Sequence, residues 1–287
     1  GAIERPIAFA NSDRPGIMTA SAVHEYIERY AVLPGRQAVV FTNNDAAYAC
    51  ALSLQRAGAE VCVVDSRANP GAVAQSARQA GLAVHADAQV TNTAGRLRVS
   101  SVRVRHADQR SQTLPCDLLA VSGGWNPSVH LHSHARGSLQ WDEALASFIP
   151  QQDLAGVASV GAMAGEFEPN AALAGACKAA EQAAAALGYS VAATQPPVIS
   201  EAEPGPTGVK ALWRVAGEGP AFVDMQNDVK ASDIELALRE GYRSIEHVKR
   251  YSVLGFGTDQ GKLGNILGLG IVSELVGTSP AEVGTTT

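Results

Sequence analysis

Gln37 to Asp65 reads QAVVFTNNDAAYACALSLQRAGAEVCVVD, and its pattern decides the fold. Residues 38–42 are a short apolar run, 46–57 carry Ala and Leu at helical spacing, and 61–64 are a second apolar run ending in Asp65. This alternation predicts a βαβ unit. Its acidic residue lies about 20 positions after the first turn, where dinucleotide-binding folds place a ribose ligand. The glycines of G-x-G-x-x-G/A do not follow: the turn is Thr42-Asn43-Asn44-Asp45-Ala46-Ala47, which keeps only the third small residue. Asn tolerates the left-handed backbone of a tight turn, but Asp45 brings negative charge to the helix N-terminus where a pyrophosphate would sit. Two readings stand, a degenerate nucleotide turn and a turn in which Asp45 is an N-cap and no nucleotide binds.

Downstream, 68–80 has the composition of a second helix, and 82–85, 89–91 and 97–105 alternate as short strands, with Gly95 in a turn. A further apolar strand at 117–121 runs into Ser122-Gly123-Gly124-Trp125-Asn126-Pro127. That sequence resembles the return from the inserted domain of two-dinucleotide oxidoreductases, and GAIERP at 1–6 resembles the matching exit. The expected class is therefore α/β, a two-dinucleotide-binding-domain (Rossmann-like) fold. Residues 37–121 form the insert, and 1–36 with 122–189 belong to the first domain. Residues 156–160 read as the last strand of that domain, 161–165 as a small-residue turn, and 170–187 as an Ala-rich helix capped by Asn170. Gly161, Ala162 and Gly165 permit close approach of a ligand to backbone amides, and Glu166 could accept from a ribose hydroxyl. Tight helix–sheet packing explains the small residues equally well.

Residues 190–220 turn Pro-rich, with Pro196, Pro197, Pro204 and Pro206, and read as a linker. A small, mainly helical domain follows over 221–287. Ser232-x-x-Glu235 is a capping box, Gly241 a stop, Ser244 the start of a second helix, 265–276 a third, and Ser279-Pro280 the start of another. The loop at 255–264 is glycine-rich and carries Thr258, Gln260 and Lys262, suited to a phosphate or a flavin edge, or an ordinary loop. His130, His132 and His134 alternate and would share one side of an extended segment, as a metal cluster or as surface histidines.

Composition narrows the class. With 287 residues and 46% hydrophobic content, about two domains are expected. The balance of 22 basic and 28 acidic residues, without a basic run, argues against nucleic acid. Cys50, Cys62, Cys116 and Cys177 are scattered and read as buried reduced thiols, which suits the cytoplasm. No run reaches the ~20 apolar residues of a membrane span.

Residues 221–265, AFVDMQNDVKASDIELALREGYRSIEHVKRYSVLGFGTDQGKLGN, resemble a cysteine-ligated module, the BFD-like 2Fe–2S domain of bacterioferritin-associated ferredoxins and several amine dehydrogenase subunits. The opening C-x-C falls on Asp224 and Gln226, and the closing cysteines of G-x-C-Q-G-x-x-C fall on Asp259 and Gly264. Sulfide-bridged iron needs soft thiolates, so no iron–sulfur cluster is expected. Together with GAIERP, NSDRPGIM at 11–18, VVFTNND at 39–45 and SGGWNPSVHL at 122–131, this frame resembles the alpha subunits of heterotetrameric sarcosine oxidases over essentially the whole chain.

The resemblance implies oxidative demethylation of sarcosine to glycine with formation of hydrogen peroxide, the one-carbon unit passing to tetrahydrofolate. It implies FAD on a beta subunit, FMN at the alpha–beta interface, NAD held by the alpha subunit, and gamma and delta subunits as further partners. It assigns NAD to Gly161, Ala162, Gly165 and Glu166, FMN to Thr258, Gln260 and Lys262, and no catalytic or metal-ligating residue to this chain. The folate domain would follow a chain that reads as an internal piece, beginning at Gly1 and stopping at Thr287. The alternatives are a related heteromeric dehydrogenase acting on proline, an opine or glycine, whose members usually keep the cysteines, and a non-catalytic scaffold.

Overall fold

The computed structural model describes residues 1–192, 194–200 and 205–284; Pro204 and the terminal Thr285, Thr286 and Thr287 lie outside the described residues. A short strand β1 (Ala2–Glu4) is followed by β2 (Ile17–Thr19) and α1 (Ala20–Glu28). The βαβ unit comes next as β3 (Gln37–Thr42), α2 (Ala47–Arg56) and β4 (Glu60–Asp65), and α3 (Gly71–Gln79) leads into β5 (Ala83–His85). Strands β6 (Ala88–Ala94), β7 (Ser101–His106) and β8 (Ser111–Pro115) make an antiparallel sheet, after which the chain returns as β9 (Leu118–Ser122).

The central sheet is parallel, in the order β2, β9, β3, β4, β5. Successive residues of β3 face opposite sides. Val40 packs with Val23, Tyr48, Ala51 and Leu54 of the helical layer, whereas Val39 and Phe41 pack with Phe9 and with Val90, Val102 and Val104 of the antiparallel sheet. Burial on both faces is why the strands are apolar without alternation.

The boundary expected at residue 37 falls inside this sheet. Ile17 lies opposite Leu119 and Thr19 opposite Val121, because the buried strand β9 would otherwise present an open edge of unpaired amides and carbonyls. Segment 17–28 thus packs with the unit built on 37–121.

Next, β10 (Trp125–Pro127) pairs antiparallel with β1, α4 (His130–His134) makes one short helix, and β11 (Leu139–Asp142) pairs with β12 (Ser147–Pro150). The strand expected at 156–160 does not form. Only a single bridge joins Leu154 and Val157, since no neighbouring strand offers a ladder. A 3-10 turn at Gly161–Ala164 precedes α5 (Pro169–Ala186), which has no buried residue. All four cysteines are free, with Cys50 and Cys116 buried and Cys62 and Cys177 half-buried.

The stretch expected as a linker is partly structural. Trp213 and Val215 are buried, and Ala8 exchanges backbone bonds with both, at 3.0 and 2.8 Å. After it come the hairpin β13 (Phe222–Asp224) and β14 (Val229–Lys230), then α6 (Ala231–Arg239), α7 (Ile245–Ser252), α8 (Asn265–Val276) and α9 (Pro280–Val283). Helix α6 begins two residues before the expected box: Asp233 accepts from the backbone N–H of Lys230 at 2.8 Å, while Glu235 pairs with Arg214. A Cβ on Gly270 would stand 2.1 Å from the Trp213 ring, so a glycine there lets α8 close on the indole. No helix among the described residues is long and apolar enough to cross a membrane.

Candidate functional site

A cavity of about 250 Å3 opens where residues 126–148 meet the loop before α8. Arg5 organises one wall. Its buried guanidinium donates to Asn126 Oδ1 at 2.6 Å, Ser147 Oγ at 3.0 Å and Gly123 O at 2.8 Å, and lies 5.1 Å from the Trp213 ring centroid. Burial without a carboxylate beside it lowers its pKa to about 9. Asn126 and Ser147, fixed in this way, line the cavity.

Helix α4 supplies the second wall. Because the segment is helical rather than extended, the three histidines separate: His130 and His134, four residues apart, share a face and line the cavity. His132 turns inward and is buried, its Nε2 3.2 Å from Ser138 O. Among the described residues no group of His, Cys, Asp and Glu is arranged to hold a metal ion.

The third wall is the loop before α8, and its shape depends on Asp224, Gln226 and Asp259. Asp224 accepts from Gly255 N at 2.9 Å, from Gln226 N at 2.9 Å and from Asn227 Nδ2 at 3.1 Å. Burial pushes the Asp224 carboxyl upward, but these bonds outweigh it and hold the pKa below the usual carboxylate range. Gln226 Oε1 accepts from Thr258 N at 2.7 Å and Thr258 Oγ1 at 2.8 Å. Asp259 accepts from Gly261 N at 3.1 Å. Hairpin and loop are thereby joined by side-chain oxygens.

Of the three residues singled out on this loop, Gln260 and Lys262 line the cavity, and Thr258 braces it from behind. Among the described residues the lining holds Lys262, His130 and His134 and no carboxylate. Burial, then the charges of Lys262 and His134, lowers the pKa of His130. The first turn of α8 borders the same space at Asn265 and Ile266, adding the positive end of a helix. Asn265 Oδ1 is shielded from solvent and has no hydrogen-bond partner. Apolar lining from Ile3, Phe148 and Leu269 completes a pocket suited to a ring-bearing anion.

The other candidate group lies apart. A second cavity of about 260 Å3 is lined by Glu4, Ser21, Trp125, Ala162 and Phe167 among others. Of Gly161, Ala162, Gly165 and Glu166, only Ala162 reaches it. Gly165 backs onto Leu145 and Ile149, at 3.0 and 3.2 Å from a Cβ built there, so packing accounts for it. Glu166 accepts from Glu168 N at 3.0 Å. Glu168, not Asn170, caps α5, accepting from Asn170 N at 3.0 Å and Ala171 N at 2.6 Å. The Asn170 side chain instead exchanges two bonds with Ile199. A carboxylate on the first turn of α5 does not suit a pyrophosphate.

At the βαβ turn, Asp45 is not an N-cap. Asn44 Oδ1 accepts from Ala46 N at 3.1 Å, while Asp45 accepts from Arg67 Nη1 at 2.7 Å and Thr207 Oγ1 at 2.9 Å. Asp65, at the ribose-acceptor position, is buried and accepts from Tyr48 Oη, Arg67 Nε and Arg67 Nη2 at 2.8, 3.0 and 2.8 Å.

Residues 218–287 match the sarcosine oxidase A3 domain family. Over 292 residues the chain is 40% identical to "Sarcosine oxidase subunit alpha" of Rhizobium meliloti (strain 1021), which covers 100% of this chain and 29% of that protein. The chain belongs to the sarcosine oxidase alpha-subunit family. The protein of the same description from Corynebacterium sp. (strain P-1) is 38% identical over 304 residues, covering 100% of this chain and 31% of its own length. The chain thus spans less than a third of these relatives. Among solved structures, L-proline dehydrogenase from P. horikoshii matches with a TM-score of 0.69 at 19% identity, over 100% of this chain and 54% of that one. T. acidophilum thioredoxin reductase matches with a TM-score of 0.55 at 15% identity, over 66% of this chain and 64% of that one. These two likenesses support the mixed α/β, Rossmann-like architecture.

Proposed function

We propose that this chain is the cofactor-supporting part of an alpha subunit in a sarcosine oxidase, an oxidoreductase that demethylates sarcosine to glycine and forms hydrogen peroxide and methylene-tetrahydrofolate. The observation that carries this reading is the cavity between α4 and the loop before α8, lined by Lys262, His130 and His134 with no carboxylate among the described residues, in a member of the sarcosine oxidase alpha-subunit family. The basic and apolar lining of this cavity supports FMN as its ligand. Lys262, His130 and His134 would hold its phosphate, the first turn of α8 would add its dipole, and Gln260 would offer an amide to the ring edge. When bound, FMN supplies electron transfer between the amine-oxidising FAD of a partner subunit and oxygen. Thr258 contributes by holding the loop in register through Gln226.

NAD is proposed at the second cavity, beside Ala162, with Gly161, Gly165 and Glu166 shaping the turn that carries it. Its pyrophosphate would lie away from the first turn of α5, where Glu168 is fixed. The four ligand positions without a thiolate support a helical domain derived from the BFD-like module that carries no iron–sulfur cluster. Beta, gamma and delta subunits would complete a cytoplasmic heterotetramer, and tetrahydrofolate would be served by a domain outside this chain.

Oxygen uptake by the assembled full-length complex tests the reading. Sarcosine should drive uptake and peroxide release, with proline and dimethylglycine as comparison substrates. Uptake with proline alone, or none with any of the three, would overturn it.

A further inference from the structure

Dinucleotides bound by a βαβ unit lie across the strand-to-helix turn at the carboxyl end of the strands. In this chain, that place is taken by residues 205–210. Thr207 O accepts from Asp45 N at 3.2 Å, Asn43 O accepts from Lys210 N at 3.0 Å, and Asn43 Nδ2 donates to Lys210 O at 2.8 Å. Thr207 Oγ1 donates to Asp45 at 2.9 Å, and Arg67 Nη1 donates to Gly208 O at 2.9 Å.

The turn amide, the strand-end carboxylate and the neighbouring cation of the unit are therefore committed. The turn amide of Asp45 is bonded to Thr207. The strand-end carboxylate of Asp65 is buried under Tyr48 and Arg67. The cation beside the strand end, Arg67, is clamped between Asp65 and Asp45, with its side chain 8% exposed. Gly208 has φ of +61°, and a Cβ on it would stand 2.8 Å from Arg67 Nη1, so the close pass over the guanidinium requires glycine.

We propose that residues 205–210 are an internal strap that occupies the nucleotide edge of the β3–α2–β4 unit and closes it to soluble NADH and NADPH. The strap's backbone stands in for the ligand, and Asp45, whose charge would repel a phosphate, is the latch that receives it. Any nicotinamide nucleotide held by this chain then sits elsewhere, and this unit accepts no hydride from an exchangeable donor. The inference does not rest on the sarcosine oxidase reading.

The test uses the assembled full-length protein and amide hydrogen exchange, with and without saturating NADH or NADPH. In the wild type, neither nucleotide should change protection of the strap-bonded amides of Asp45 and Lys210, read from overlapping peptides that separate them from Ala46, Gly205 and Pro206 of the second cavity. In Gly208→Ala and Thr207→Val, exchange of 43–48 should rise by about tenfold while peptides of α6 and α8 keep their rates. Nucleotide-dependent protection of the Asp45 or Lys210 amide in the wild type would overturn the proposal, as would variants that leave exchange of 43–48 unaltered. If a variant fails to assemble, the wild-type comparison alone decides.

Discussion

Gln226 and Thr258 lie 32 residues apart and meet through two bonds to one oxygen, the amide and hydroxyl of Thr258 both donating to Gln226 Oε1. The loop bearing Gln260 and Lys262 is tied to the hairpin by this contact. Gln226→Ala should lower stability by about 1 kcal/mol, the net worth of solvent-near hydrogen bonds. It should also increase FMN loss on gel filtration of the full complex. Urea unfolding with flavin absorbance of the protein fraction measures both, and unchanged flavin retention would remove Thr258 from the site's support.

Asp224 carries the pH dependence of the same junction. Its pKa is depressed in the folded state, so its stabilisation is present above the unfolded value, about 3.9, and is lost as pH falls through the lower folded value. Asp224→Asn should destabilise the protein at neutral pH and flatten the acid limb of a plot of unfolding midpoint against pH. An acid limb identical to that of the wild type would contradict this assignment.

Anion binding at the first cavity should strengthen as pH falls from about 7 to 6, because His130, held neutral by burial and by Lys262 and His134, gains its proton when an anion enters. Lys262→Met should weaken binding by about tenfold, the scale of one charge-assisted contact. Fluorescence titration of the flavin-depleted complex with FMN reads both effects; affinity independent of pH and of Lys262 would place the phosphate elsewhere.

Arg67 balances two carboxylates, one of them fully buried. Arg67→Leu leaves Asp65 buried without its cation and should cost about 3–5 kcal/mol. Arg67→Lys should recover little, since an ammonium cannot span Asp45, Asp65 and Gly208 O as the planar fork does. Thermal unfolding of the two variants in the full chain checks the order.

The elements that depend on local pattern were readable from the sequence. The apolar runs around Asn43 and Asn44 mark β3 and β4 to within one residue, and α8 spans the 265–276 expected. What escaped depends on partners distant in sequence. Ile17–Thr19 becomes a strand only because β9 needs a neighbour, and Ser111–Pro115, polar and mostly exposed, becomes one through pairing with β7. Helix starts were displaced toward Glu168 and Lys230 because the choice among adjacent capping residues is made by backbone direction, which composition does not encode.

Gln260 and Lys262 were legible as a loop with donors. Their meeting with His130 and His134 was not, since it follows from the packing of residues 126–148 against the helical domain. The spacing of four between the two histidines was the available clue, masked by alternation with His132. The fate of Asp45 needed the backbone of residues 205–210, more than 150 positions away.

The junction of the hairpin at Asp224 and Gln226 with the loop at Gly255 and Thr258 is made of carboxylate and amide oxygens meeting backbone N–H groups. No thiol takes part in these bonds, so the hairpin and the loop are closed by groups whose hydrogen bonding does not change with redox state, and the surface they shape can form as the polypeptide folds.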